Sequence, residues 1–197
     1  MNIRTPLQTR RKTIYATQEP KKAIFYGLPK VHKSSEIQRA IKEQRNHYIR
    51  IQRPADLTMR LIVAGPQAPT QQLSHFRDVL LKPLCPLIPS YIRDDIDFLT
   101  HIPNTVPENT ILARFDVTNL YTNIPHTLGL EGIKQWVEKY RELIDKRFKT
   151  DFITKATQLI LEENTFSFNN KTYRRIKGTA MGTKFAPLYA NLVMEFP

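Results

Sequence analysis

The sequence predicts an α+β fold, and three observations carry that expectation. Residues 23–26, 59–64 and 111–117 are short runs rich in β-branched and aromatic side chains, and runs of that kind read as strands. Phe166-Ser167-Phe168 and Tyr173-Arg174-Arg175-Ile176 flank Asn169-Asn170, the composition of a tight hairpin. Elsewhere the apolar residues recur at helical spacing, at Ile133, Trp136, Val137, Tyr140, Leu143 and Ile144, and again at Phe152, Ile153, Ala156, Leu159 and Ile160.

In chain order, residues 1–22 lack periodicity and are expected to form a flexible basic arm. The strand from Ala23 is expected to break at Gly27 and Pro29, which places Lys30, His32 and Lys33 on a constrained turn. Two lysines on rigid backbone suit phosphate contact, and a merely solvated turn fits the segment equally well. His32 is no metal ligand by spacing, because no second His or Cys stands nearby. Ser35-Glu36-Ile37-Gln38 has capping-box spacing and opens a charged helix through Ile41 and Tyr48, with Lys42, Arg45 and Arg50 as a basic face. Residues 59–64 form a strand entered through Arg60, after which Thr70 caps a helix carrying Leu73, Phe76, Leu80 and Leu84. Asp94, Asp95 and Asp97 tempt a metal reading, but their spacing suits a helix start, where carboxylates complement the dipole. Near the end, Gly178-Thr179-Ala180-Met181-Gly182-Thr183 is expected to form a flexible loop nearly free of side chains. It feeds a helix from Pro187 that is apolar nearly all round and therefore expected to be buried.

Composition narrows the function classes. With 41% hydrophobic residues, 10 Phe, 8 Tyr and 1 Trp, the chain has material for a core. No run of about 18 apolar residues exists, so no membrane span is expected, and no apolar stretch follows Arg10, Arg11 and Lys12 to make a secretory signal. The single cysteine, Cys85, excludes a disulfide or zinc framework and suits a reducing compartment, the nucleus or the cytoplasm. Charge is placed unevenly. Residues 1–64 hold 14 Lys and Arg against 4 Asp and Glu, whereas residues 65–197 hold 16 against 14. A basic first third on a nearly neutral body is the footprint of a polyanion-binding protein, most often one for nucleic acid; a solubilising basic arm is the duller reading.

Asp116 ends the apolar run 111–117, and Thr118, Asn119, Thr122 and Asn123 after it are turn and cap formers. A carboxylate at the mouth of a buried strand requires a partner. A divalent cation is the strongest, while capping the turn or pairing with Arg114 are the structural alternatives.

Four motifs in one order now stand out: Phe25-Tyr26-Gly27-Leu28-Pro29-Lys30-Val31-His32-Lys33; Arg60-Leu61-Ile62-Val63; Phe115-Asp116-Val117 through Tyr121-Thr122-Asn123-Ile124-Pro125; and Gly178-Thr179-Ala180-Met181-Gly182-Thr183 through Ala186-Pro187 and Ala190-Asn191-Leu192. Together they resemble the reverse transcriptase of Penelope-like retroelements, a relative of telomerase reverse transcriptase, over residues 24–195. The resemblance implies a right-hand polymerase. Residues 23–110 would be a fingers region with a basic insertion at 34–59, and residues 111–197 a partial palm of antiparallel sheet backed by helices. Asp116 would be the first catalytic aspartate, and the carbonyl of Val117 would help hold a metal. Tyr121 would be the steric gate against a ribonucleotide 2′-hydroxyl. Arg60, with Lys30 or Lys33 as second candidates, would grip the triphosphate, and Met181 and Gly182 would line the nascent base pair. RNA or DNA template-primer and dNTP are the implied partners, with two Mg²⁺ or Mn²⁺ ions in the complete enzyme.

The sequence departs from that family pattern in two ways. The insertion at 34–59 is one. The other is the lack of a Tyr-x-Asp-Asp sequence: Tyr91-Ile92-Arg93-Asp94-Asp95 is one residue too long and lies upstream of Asp116. Since one aspartate does not hold two metals, the expectation is a reverse-transcriptase fragment, inactive alone. A non-catalytic nucleic-acid-binding remnant of a retroelement, or a gene fragment without function, is the alternative.

Overall fold

The computed structural model describes residues 19–45 and 48–196; most of the expected N-terminal arm lies outside the described residues. Four strands and seven α-helices make a mixed α+β chain among them: β1 (Ala23–Pro29), α1 (Ser35–Gln44), β2 (Met59–Ala64), α2 (Gln71–Leu81), α3 (Asp95–His101), α4 (Leu120–Asn123), α5 (His126–Lys139), α6 (Thr150–Glu162), β3 (Thr165–Phe168), β4 (Lys171–Arg174) and α7 (Ala186–Met194). Two compact units divide the chain, Met1–Pro69 with Thr165–Tyr173, and Thr70–Asn164 with Arg174–Pro197.

The first unit is built on one sheet of order β2-β1-β3-β4. β1 runs antiparallel to β2, from Ile24 opposite Ala64 to Pro29 opposite Met59. It passes through Gly27, which pairs with Leu61, so the expected break at Gly27 does not occur and the strand stops only at Pro29. β3 joins the other edge of β1 in parallel, Ala23 beside Phe166 and Ile24 beside Ser167. The sheet is therefore mixed rather than antiparallel. β2 already occupies one edge of β1, and the hairpin, formed far later in the chain, takes the remaining edge running the same way as β1. Asn169 and Asn170 turn that hairpin with φ of 48° and 58°, the left-handed pair that Asn tolerates best among residues with a Cβ. Side-chain alternation puts Phe25, Phe166, Phe168 and Tyr173 together, with Phe25 stacked on Phe166 at 5.5 Å and edge-on to Phe168 at 5.1 Å. Phe166 in turn stacks on Tyr173 at 5.8 Å.

α1 begins one residue earlier in its capping pattern than its sequence spacing suggests. Ser34 is the N-cap, its Oγ accepting from the Ile37 N–H at 3.1 Å. The helix stops at Gln44, short of the expected Tyr48, because Arg45 turns left-handed (φ 49°) and its N–H caps Ile41 O at 3.2 Å.

In the second unit the core gathers on α7. Ala186, Leu188, Tyr189, Ala190, Leu192 and Val193 are all buried, as a helix apolar on every side requires. α5 packs against it through Ile133, Trp136 and Val137, with the Trp136 indole N–H donating to Leu192 O at 2.9 Å. Gly129 admits the Tyr189 ring, since a Cβ there would lie 1.7 Å from the phenol oxygen. α6 adds Ile153, Ile160 and Leu161, each nearly inaccessible to water and each contributing about 1.5–3 kcal/mol on burial. α3 starts as its three aspartates imply: Asp94 accepts from the Asp97 N–H at 2.9 Å.

One expected element is absent. Residues 111–117 form no strand; they are irregular and exposed, with Ile111 at 89%, Leu112 at 94% and Phe115 at 92% accessibility. A strand needs a neighbouring ladder, and none of the four paired strands among the described residues offers one to this segment. Its β-branched composition expresses a preference that finds no partner here.

Candidate functional site

The residues singled out by sequence fall into two groups, one in each unit. In the first unit, Lys30 follows β1 directly, its N–H donating to Thr58 O at 2.9 Å. A single 3-10 turn, Val31–Lys33, then closes on it through the Lys33 N–H to Lys30 O at 2.9 Å. Arg60 lies on β2 directly opposite Leu28, and its side chain is exposed. Strand pairing and turn thus hold Lys30, Lys33 and Arg60 on fixed backbone at one end of the β1–β2 ladder. Tyr26, Leu28 and Ile62 share the Arg60 face of the sheet by register. The arrangement presents cations beside apolar surface, the chemistry that meets phosphate on one side and a ring or sugar on the other.

The second unit holds Asp116, Val117, Tyr121, Met181 and Gly182. Here two stretches far apart in sequence meet. The Thr179 N–H donates to Tyr121 O at 2.6 Å, and the Gly178 N–H donates to Ile124 O at 2.9 Å. His126 Nε2 lies 2.8 Å from Gly178 O, across 52 residues of sequence. Gly178 is obligatory at this crossing. Its φ is +73°, and a Cβ would stand 2.3 Å from Tyr121 O and 2.6 Å from the Thr122 carbonyl carbon. Met181 is half-buried and Gly182 exposed, so the loop offers backbone rather than side chains to solvent. Tyr121 is half-buried at the start of α4.

The turn after Asp116 forms as expected. Asn119 is left-handed (φ 53°), the Thr122 N–H and Oγ1 both reach Asn119 O at 3.0 Å, and Asn123 Nδ2 donates to Thr118 O at 3.0 Å. Asp116 itself differs from expectation. It sits on the exposed, irregular segment, not at the mouth of a buried strand. Among the described residues no group of three or more His, Cys, Asp or Glu comes together. One exposed carboxylate with the Val117 carbonyl does not fit a pair of divalent cations, which require several oxygen ligands between them.

Several residues that support this framework were not legible as such. Asp56 ties down the start of α1, its carboxylate accepting from Ser34 Oγ at 2.5 Å, the Ser35 N–H at 2.6 Å and Ser35 Oγ at 2.9 Å. Those hydrogen bonds, Ser34's first, hold its pKa below the usual carboxylate value. Ser74 Oγ accepts from the Phe185 N–H at 3.1 Å, at the entry to α7. Arg77 is wholly buried, hydrogen-bonded through Nη2 to Thr157 Oγ1 and stacked over the Phe185 ring at 5.3 Å; burial pushes its pKa down to about 9. The signal for the last pair was present. Ser74 and Arg77 sit beside Leu73 and Leu81 on the buried side of α2, where polar residues are retained only for a partner.

No protein-family model, curated protein or solved structure matches the chain.

Proposed function

We propose that this chain supplies the fingers and the first part of the palm of an RNA-directed DNA polymerase, a reverse transcriptase of the Penelope-like kind. Its partners in that role are an RNA or DNA template-primer and a deoxynucleoside triphosphate. The observation that carries the reading is the crossing of the third and fourth motifs. The stretch around Tyr121 and the Gly178–Gly182 loop are remote in sequence, yet they join through three hydrogen bonds around a glycine that no other residue replaces. A nucleotide-binding palm needs an aromatic gate and a bare backbone loop side by side, because the base pair must approach the main chain closely.

In that reading Tyr121 excludes the ribose 2′-hydroxyl, Met181 and Gly182 line the nascent pair, and Arg60 with Lys30 or Lys33 holds the triphosphate. In a complete enzyme Asp116 and the Val117 carbonyl would hold only part of a two-ion Mg²⁺ or Mn²⁺ centre, with further carboxylates needed from elsewhere. Such a centre would activate the 3′-hydroxyl and hold the leaving phosphate. The described residues do not themselves form such a centre, so no metal-dependent step is assigned to this chain.

A second reading, a non-catalytic nucleic-acid-binding remnant, is favoured by one observation: Asp116 lies on an exposed segment outside any strand, while the basic first unit carries a four-stranded sheet. The coding sequence immediately beyond Pro197 separates the two. An in-frame Tyr-x-Asp-Asp supports the polymerase; an immediate stop supports the remnant. In the longer chain, Tyr121→Ala is expected to raise ribonucleotide incorporation relative to deoxyribonucleotide. Equal discrimination by variant and parent would remove Tyr121 from the site.

A further inference from the structure

The excursion between α1 and β2 is the part of the first unit that the polymerase reading leaves unexplained. Its two ends are fastened. Asp56 binds the start of α1 through Ser34 and Ser35, and the Gln44 side chain brackets Arg50, accepting from its N–H at 3.3 Å and donating to its carbonyl at 3.3 Å. Hydrogen bonds of this kind hold the backbone at Arg50 and at the start of α1 in place, so side chains there are ordered at little further entropic cost. From Arg39 to Asp56 the charged side chains are mostly basic, with Glu43 and the engaged Asp56 as the acidic exceptions. Arg39 and Lys42, three residues apart, lie on the side of α1 away from buried Ile37 and Ala40, and Arg45, Arg50 and Arg53 follow on the excursion. None of these five cations forms an ion pair with a carboxylate among the described residues. In their midst Tyr48 stands 87% exposed. A large ring left in water between unpaired cations is neither a core residue nor a solubilising one.

We propose that this excursion is a clamp for single-stranded nucleic acid, with Tyr48 stacked on a base and Arg39, Lys42, Arg45, Arg50 and Arg53 along the flanking phosphates. It rests on the polynucleotide-binding part of the function proposed above and adds the state of the strand and the residues that sense it. Charge complementarity selects the polyanion, and the ring selects the strand state, because a paired base has no free face to offer a tyrosine. Stacking is indifferent to sequence, so the clamp is expected to be sequence-tolerant.

The test is fluorescence anisotropy on the whole 197-residue chain, with a labelled single strand and with the same sequence as a duplex. Tyr48→Ala should weaken single-strand binding about tenfold and leave duplex binding within about twofold, while Tyr48→Phe, which keeps the ring, behaves as the parent. Changing Arg45, Arg50 and Arg53 together to Gln should lower the slope of log affinity against log salt by about 2, at ~0.7 per phosphate contact. Neutralising Lys30, Lys33 and Arg60 probes the rest of the unit independently. Binding that responds to those three but not to Tyr48 or the three arginines overturns the clamp and leaves the polynucleotide reading standing. Competition by poly-glutamate as strong as by polynucleotide also overturns the clamp, in favour of an acidic protein. Absence of binding to either oligonucleotide overturns both readings.

Discussion

Tyr189 and Arg77 sit in the same core, and each buries a polar group that finds incomplete satisfaction. The Tyr189 hydroxyl has no hydrogen-bond partner among the described residues, and burial raises its pKa. Tyr189→Phe removes the desolvated oxygen and keeps the ring, so it is expected to raise unfolding stability by about 1 kcal/mol in urea denaturation. Arg77 leaves Nε and Nη1 unpaired in the core. Arg77→Met fills the same volume without a charge, and Thr157 Oγ1 still donates to Ile153 O, so stability at pH 7 should rise. Because the folded-state pKa is depressed, to about 9 from 12.5, the native state resists the proton that the unfolded chain keeps. The parent therefore recovers stability as pH climbs past about 9, and the advantage of Arg77→Met shrinks over the same range. Gly178→Ala is the opposite case: a φ of +73° and backbone 2.3 Å from the new methyl predict a loss of about 1–3 kcal/mol. Gly178 was legible only as part of a bare loop; its need for glycine comes from the crossing with Tyr121 and Thr122, which is not a local property. The burial of Arg77 was legible only in part: its place beside Leu73 and Leu81 on α2 marked the buried side, but Thr157, its partner 80 residues away, was not a local property.

Elements with self-contained signals formed close to where the sequence placed them, although the second hairpin strand runs over Lys171–Arg174 rather than 173–176. The Asn169-Asn170 hairpin, the three-aspartate start of α3 and the apolar α7 each draw on local chemistry, namely left-handed tolerance, dipole complementarity and all-round burial. The segment 111–117 did not form, because strand propensity is realised only against a neighbour, and the neighbour is not a local property. The mixed sheet was illegible for the same reason: whether β3 meets β1 parallel or antiparallel depends on how the chain between them returns. α1 depends on a residue more than 20 positions away. Asp56, whose pKa lies below 3.8 chiefly through Ser34, anchors its first turn while ionised. That contribution is complete above pH 3.8 and is lost as the pH falls through the lower folded-state value. Protection of the Ser35 and Glu36 amides relative to their intrinsic exchange, both being donors to Asp56, should fall over that acid range and in Asp56→Ala at neutral pH, with α5 and α6 unaffected. Unchanged exchange in Asp56→Ala would mean that Ser34 caps the helix unaided.

At the scale of the whole molecule, charge and chemistry are divided between the two units. The basic surface lies in the first, with Lys30, Lys33 and Arg60 at one end of its sheet, and Asp116, Tyr121 and the Gly178–Gly182 crossing lie in the second. Among the described residues no helix is long and apolar enough to cross a membrane. If the second unit carries part of a polymerase site, as proposed, the remaining carboxylates are not among these 197 residues. Primer extension in Mg²⁺ and in Mn²⁺ tests it most directly, comparing this chain, its Asp116→Asn variant, and a chain lengthened through an in-frame Tyr-x-Asp-Asp. Extension is expected only from the lengthened chain, with its loss there on Asp116→Asn, since each ~1.4 kcal/mol of lost transition-state stabilisation is about tenfold in rate. Extension by the 197-residue chain that disappears with Asp116→Asn would contradict it, because a second carboxylate would then have to come from within this sequence or from a partner.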